Sequence, residues 1–177
     1  MGDSTVWTLA IAALTGGTAV LASWVTSRGS TQAAKIQAET AARSQRAERL
    51  RESRRAAYLD LIEQTHCIGE LYWEISAELR ESASDTRTAR LDGLLDREVA
   101  EYAKIRRCAR VVELEGPPSA AASALALQKA TGPFYEALRA GLADGTDCQE
   151  QFNAAYSTFW KRLEQFVDTA RDAHQMK

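Results

Sequence analysis

The sequence predicts an all-α protein made of an N-terminal single transmembrane helix, a basic helical stalk and a cytoplasmic antiparallel helical bundle. Three observations carry that expectation. Residues 4–27 contain no charged side chain. Thirty-two alanines, 17 arginines and only three prolines describe a helix-rich chain with few of the β-branched clusters that mark strands. From Tyr58 onward, apolar residues recur at alternating spacings of three and four, the signature of helices with one buried face. The predicted organisation is an N-terminal segment and span over residues 1–27, an Arg/Ala-rich stalk over 28–57 and a bundle over 58–177.

The uncharged run of 24 residues, Ser4 to Ser27, is long enough for a span, since a helix rising about 1.5 Å per residue over that length exceeds the roughly 30 Å of bilayer hydrocarbon. Trp7 and Trp24 lie near its ends and Arg28 just beyond it, as interface anchors do. Val20-Leu21-Ala22 resembles a signal-peptide cleavage site, but Asp3 and the absence of Lys or Arg before the run are unlike a secretory leader. The positive charge follows the run, at Arg28, Lys35, Arg43, Arg46, Arg49, Arg51, Arg54 and Arg55. The positive-inside rule then places the N-terminus outside the plasma (inner) membrane and the remainder in the cytoplasm. The lipid bilayer is the first expected partner. Ala12, Ala13, Gly16 and Gly17 form small residues at four-residue spacing, a possible packing face for self-association of the span.

Residues 31–57 are rich in Ala, Gln, Arg and Glu and lack Pro and Gly, which predicts a solvated helix supported by local pairs such as Glu39 with Arg43. Nothing between this stretch and the next helix breaks the chain. In that helix Tyr58, Leu61, Thr65, Ile68, Tyr72, Ile75 and Leu79 form an inward stripe, flanked by Ile62 and Leu71. Ser82 to Thr86 is a polar interruption with good capping residues. The helix that follows carries Leu91, Leu95, Tyr102, Ile105, Ala109 and Val112 on one face, with Glu98 falling on the same spacing, and Gly116-Pro117-Pro118 stops it. Ser119 is a predicted cap for a helix over Ala120–Ala130, which Gly132-Pro133 kinks or breaks before Phe134–Leu142. Thr146 or Asp147 begins the last helix, whose stripe is Phe152, Tyr156, Phe159, Leu163, Phe166 and Ala170, with Trp160 and Val167 beside it.

The net charge of −2 conceals a split. Residues 28–57 carry net +5 and residues 58–177 net −6, an asymmetry that orients a protein at an anionic membrane surface and argues against nucleic acid as a partner. Cys67, Cys108 and Cys148 are far apart, form no CxxC, and read as reduced, semi-buried packing residues. No GxxxxGK[ST], GxGxxG, HExxH or GxSxG occurs. Glu63-Gln64-Thr65-His66 has the ExxH spacing of di-iron bundles but lacks a second copy, so no metal site, cofactor or catalytic residue is assigned. Lys104, Arg106, Arg107 and Arg110 form a basic patch suited to phosphate or a protein partner.

The uncharged N-terminal run with its central Gly-Gly, the Arg-rich stretch, and then Arg54-Arg55-Ala56-Ala57-Tyr58-Leu59 resemble small single-span proteins of actinobacterial genomes, some labelled KilB-like and associated with conjugative plasmids. The resemblance covers the first third of the chain, supplies no catalytic residues, and implies a membrane-tethered accessory protein. Three functional readings follow. The first is a non-enzymatic interaction module whose partner is a membrane or cytoplasmic protein or a second copy of the chain. The second is a small-molecule sensor or enzyme with a pocket in the bundle near Arg107 or lined by Tyr156 and Trp160; a polar-lined cavity would favour it. The third is a membrane-active conjugation or toxin factor.

Helix association in lipid depends on close backbone approach, so bulk at the small residues should oppose it. Replacing Gly16 and Gly17 with Leu should abolish cross-linking of the full-length chain in membranes while leaving insertion intact. Equal cross-linking before and after the change would exclude the glycines as an interface.

Overall fold

In a computed structural model the structure describes residues 3–144 and 148–175, with side chains described at residue 32, over 34–143 and over 148–175. Among these, five helices and no strand occur: α1 Asp3–Leu79, α2 Asp85–Glu115, α3 Pro118–Lys129, α4 Gly132–Asp144 and α5 Gln149–Gln175. The chain divides into two units, residues 1–49 and 50–177.

The first unit is helical from Asp3 onward, and its described side chains from Ala34 to Arg49 are exposed, as expected of a solvated stalk. Thr40 donates its hydroxyl to the Ile36 carbonyl at 2.8 Å. Among the described residues no helix is long and apolar enough to cross a membrane. The expected span, with Trp7, Ala12, Ala13, Gly16, Gly17, Trp24 and Arg28, falls on a stretch whose side chains lie outside the described residues.

The second unit begins at Leu50, earlier than the expected boundary at Tyr58. The reason is local. Ala57 is buried, and Arg54, read from the sequence as a stalk residue, donates Nε to the Glu115 carbonyl at 2.7 Å, covering an open carbonyl at the end of α2. All seven residues of the α1 stripe, Tyr58 to Leu79, are buried, as is Leu71.

Cross-helix contacts define an up-down-up-down arrangement. Arg54 meets Glu115, Gln64 meets Glu101, and Glu74 pairs with Arg97 at 2.6 Å, so α2 runs antiparallel to α1. Tyr58 meets Phe166 edge-on, Tyr72 meets Phe152, and Gln149 donates to Ser76, so α5 also runs antiparallel to α1. Between them α3 and α4 together form one interrupted rod. Gln128 reaches Tyr102 of α2, while Leu138 and Leu142 reach the level of Leu91. Thus α3 and then α4 climb antiparallel to α2.

The turns follow the sequence chemistry. Ser84 caps α2, its hydroxyl accepting from the Arg87 amide at 3.1 Å. The Arg87 guanidinium folds back on the α1 terminus, donating to the Glu78 and Leu79 carbonyls at 3.2 and 3.1 Å. The cap of α3 is Pro117 with Pro118 at its first position, not Ser119, which lies inside the helix. Proline suits that place because the first helical amide has no intrahelical acceptor. Thr146 and Asp147, the expected start of the last helix, lie outside the described residues.

Aromatic rings hold the core. Tyr72 stacks on Phe134 with centroids 3.8 Å apart and an interplanar angle of 11°. Phe152 and Phe159 meet Tyr72 edge-on at 5.9 and 5.4 Å, and both also meet Phe134. Gly69 has a packing reason: a Cβ there would come within 2.9 Å of the Trp160 ring.

Phe159 is fully buried among three rings, so Phe159→Ala should lower the stability of a fragment of residues 50–177 by about 3–5 kcal/mol. Reversible denaturant unfolding measures this. A loss below roughly 1 kcal/mol, the scale of a surface substitution, would mean that the ring does not carry the core.

Candidate functional site

The α2 stripe contains one misfit. Leu91, Ile105, Ala109 and Val112 are buried apolar residues, yet Glu98, on the same spacing, is buried with 2% of its surface exposed. A carboxyl in that position loses its hydration and needs a partner. Its side-chain partner among the described residues is the Tyr72 hydroxyl, which donates to Oε1 at a long 3.4 Å. No Lys or Arg forms an ion pair with it among the described residues. Burial therefore pushes the Glu98 carboxyl up to about 7, with the Tyr72 hydrogen bond working in the other direction. Burial also raises Tyr72, and the neighbouring Glu98 adds to the effect, so the phenol keeps its proton.

Glu98 opens on a partly open cavity of about 480 Å³. Val99 and Tyr102 of α2, Gln128 and Lys129 of α3, Thr131 of the junction, and Gly132, Tyr135 and Glu136 of α4 complete its lining. The cavity exists because the third rod is broken there. Pro133 offers no amide and clashes with a preceding turn, so α3 ends at Lys129 and α4 starts afresh at Gly132. The break is closed locally: the Ala130 amide donates to the Ala126 and Leu127 carbonyls, and the Thr131 hydroxyl donates to the Gln128 carbonyl at 2.7 Å. Gln128 is thereby fixed, and its Nε2 donates to the Tyr102 hydroxyl at 2.9 Å, leaving that hydroxyl a proton to donate.

Comparison with family models, curated proteins and solved structures finds no match to this chain. The arrangement of side chains is what speaks to function. It contains one buried carboxyl, two tyrosines, an amide and a hydroxyl, which suits binding and orientation. Among the described residues, no histidine or cysteine lines it.

The lining of the Glu98 cavity includes none of Arg107, Tyr156 and Trp160, near which the sequence reading sought a pocket. Tyr156 and Trp160 pack on one another at 5.9 Å, and Trp160 also lies 5.5 Å from the ring of His66, which is exposed. Lys104, Arg106, Arg107 and Arg110 are all exposed, on the side of α2 opposite Ile105, Ala109 and Val112. Lys104 pairs with Glu101 at 2.7 Å and Arg110 with Glu113, so carboxylates one turn away occupy half of the patch. Among the described residues no group of three or more His, Cys, Asp or Glu could hold a metal ion. Cys148 is buried and Cys108 partly so, its thiol raised by burial first and by Asp60 second, whereas Cys67 is exposed and is not the packing residue the sequence suggests.

Sequence reasoning missed Glu98 as a site. Its one signal was a carboxylate on an apolar stripe.

The pH dependence of stability tests the burial of Glu98. Its folded pKa of about 7 lies above the ordinary 4.5, so the unfolded chain ionises first. Stability is then full below about pH 4.5 and falls as pH rises to about 7, by roughly 3 kcal/mol in all. Glu98→Gln should remove that slope. Denaturant unfolding of both proteins at pH 5 and pH 8 measures it, and parallel pH profiles would contradict a buried Glu98.

Proposed function

We propose that the chain is a membrane-anchored, non-enzymatic helical module that faces the cytoplasm and binds a small molecule in its bundle. The observation that carries the binding part is Glu98, a carboxyl 2% exposed with one long hydrogen bond, opening on a cavity where three helices meet. A position that served packing alone would be filled by an apolar side chain, as Leu91 and Ile105 fill theirs. Leaving a carboxyl there costs stability, and a bound partner for it would recover that cost.

The anchoring part is supported by the uncharged run of residues 4–27, its flanking Trp7, Trp24 and Arg28, the basic residues that follow, and the resemblance of the first third to single-span accessory proteins. The helix α1, Asp3–Leu79, supplies Tyr72, the partner of Glu98. On this reading the bundle is a ligand-dependent accessory held at the membrane. A protein partner would meet its exposed apolar residues, of which Leu114 (84% exposed) and Trp73 (61%) stand out furthest.

Labelling of intact cells tests the tether and its direction. In a background lacking the native cysteines, a cysteine introduced at Ser4 should react with an impermeant maleimide, and one at Ser84 should react only after lysis. Labelling of Ser84 but not Ser4 in intact cells would reverse the topology, and recovery of the full chain in the soluble fraction would remove the anchor.

A further inference from the structure

We infer that the cavity at Glu98 takes an organic monocation, an alkyl- or arylammonium with an apolar body, whose charged end meets the Glu98 carboxylate between Tyr102 and Tyr135. The inference rests on the ligand-binding reading above and adds the class of ligand. A volume of about 480 Å³ falls within the range of small-molecule pockets, roughly 300–1,000 Å³. Two tyrosine rings and Val99 supply an aromatic and apolar wall, which holds the body of such a ligand, and ring faces attract cations.

The sign of the charge follows from weighing each group that faces the site. Tyr72 of α1 and the two lining tyrosines, Tyr102 of α2 and Tyr135 of α4, present ring faces and hydroxyls. Lys129 of α3 and Glu136 of α4 are exposed on the rim with opposite charges that water screens. The C-terminal end of α3 and the first turn of α4 meet at residues 130–132, so their helix-end partial charges, each about half an elementary charge and of opposite sign, largely offset. That leaves Glu98, the one buried ionisable carboxyl of the lining. An anion would be repelled by it, and a neutral ligand would leave it without a counter-charge. An ammonium group ends that state by donating a charge-assisted hydrogen bond to the carboxylate.

Proton balance gives the inference a distinctive consequence. Where Glu98 is protonated, a monocation binds only as the carboxyl releases its proton to solvent, so the complex forms with loss of up to one proton. With the carboxyl titrating at about 7, affinity should rise about tenfold from pH 6 to pH 8. Gly132 provides a second lever: a Cβ there meets nothing within 4 Å, so a larger side chain can enter the cavity without displacing the core.

The test is calorimetric titration of the full-length chain in detergent with benzylammonium, benzyl alcohol and phenylacetate. Benzylammonium should bind, more tightly at pH 8 than at pH 6 by the factor above, and with proton release in buffers of different ionisation enthalpy. Glu98→Gln and Gly132→Leu should each weaken it by about tenfold or more, the scale of losing one charge-assisted contact, with helicity and cooperative melting retained. If benzyl alcohol or phenylacetate binds as tightly, and Gly132→Leu abolishes that binding, the pocket stands and the cation is wrong. Undiminished binding of benzylammonium by Glu98→Gln likewise overturns the cation. If none of the three binds, or binding survives Gly132→Leu, the pocket and the ligand class fail together.

Discussion

The bundle depends on Tyr72. Its ring is clamped by Phe134, Phe152 and Phe159, which come from α4 and α5, and its hydroxyl is the group that reaches Glu98 on α2. One side chain therefore joins the apolar core to Glu98, the one buried carboxyl among the described residues. A ring stacked at 3.8 Å has little freedom to move. The hydroxyl is consequently fixed in place, and the 3.4 Å distance to Glu98 reflects where the core holds the phenol rather than the best hydrogen bond it could make. The carboxyl is left under-satisfied by the same packing that stabilises the fold.

Electrostatics outside the core contribute little by comparison. The pairs Arg97 with Glu74, Arg90 with Glu78 and Arg171 with Asp168 have largely exposed arginines, and such pairs are each worth about 0–1 kcal/mol. The more consequential cations are those that donate to main-chain carbonyls at helix ends. Arg87 folds onto the end of α1 and Arg54 reaches the end of α2, each donating to main-chain carbonyls there. They tie each of these helix ends to the neighbouring helix.

Much of this was legible in the sequence. The α1 stripe from Tyr58 to Leu79, the cap at Ser84, the stop at Gly116 and the break at Gly132-Pro133 each have a local cause, a repeat of 3.6 or a residue that cannot continue a helix. Tyr156, placed on the last stripe, is only partly buried, packing on Trp160 one turn along the same helix and edge-on against Phe134. What periodicity could not reveal was convergence. Glu98, Tyr102, Gln128, Thr131 and Tyr135 are brought together by three segments, and no spacing within one helix records that. Arg54 was equally hidden, since its acceptor is a backbone carbonyl 61 residues away. Ser119 illustrates the opposite failure: a good capping residue was overruled by two prolines that already fix the turn.

The interrupted third rod has a further geometric consequence. Its first half turns Ala120, Ala124 and Leu127 inward, whereas its second half turns Phe134 and Leu138 inward, all at most 1% exposed. Helix separation follows the size of the side chains between the axes, so the two halves favour different spacings from the core, and the change from one to the other falls at Ala130 and Thr131, where the cavity at Glu98 opens.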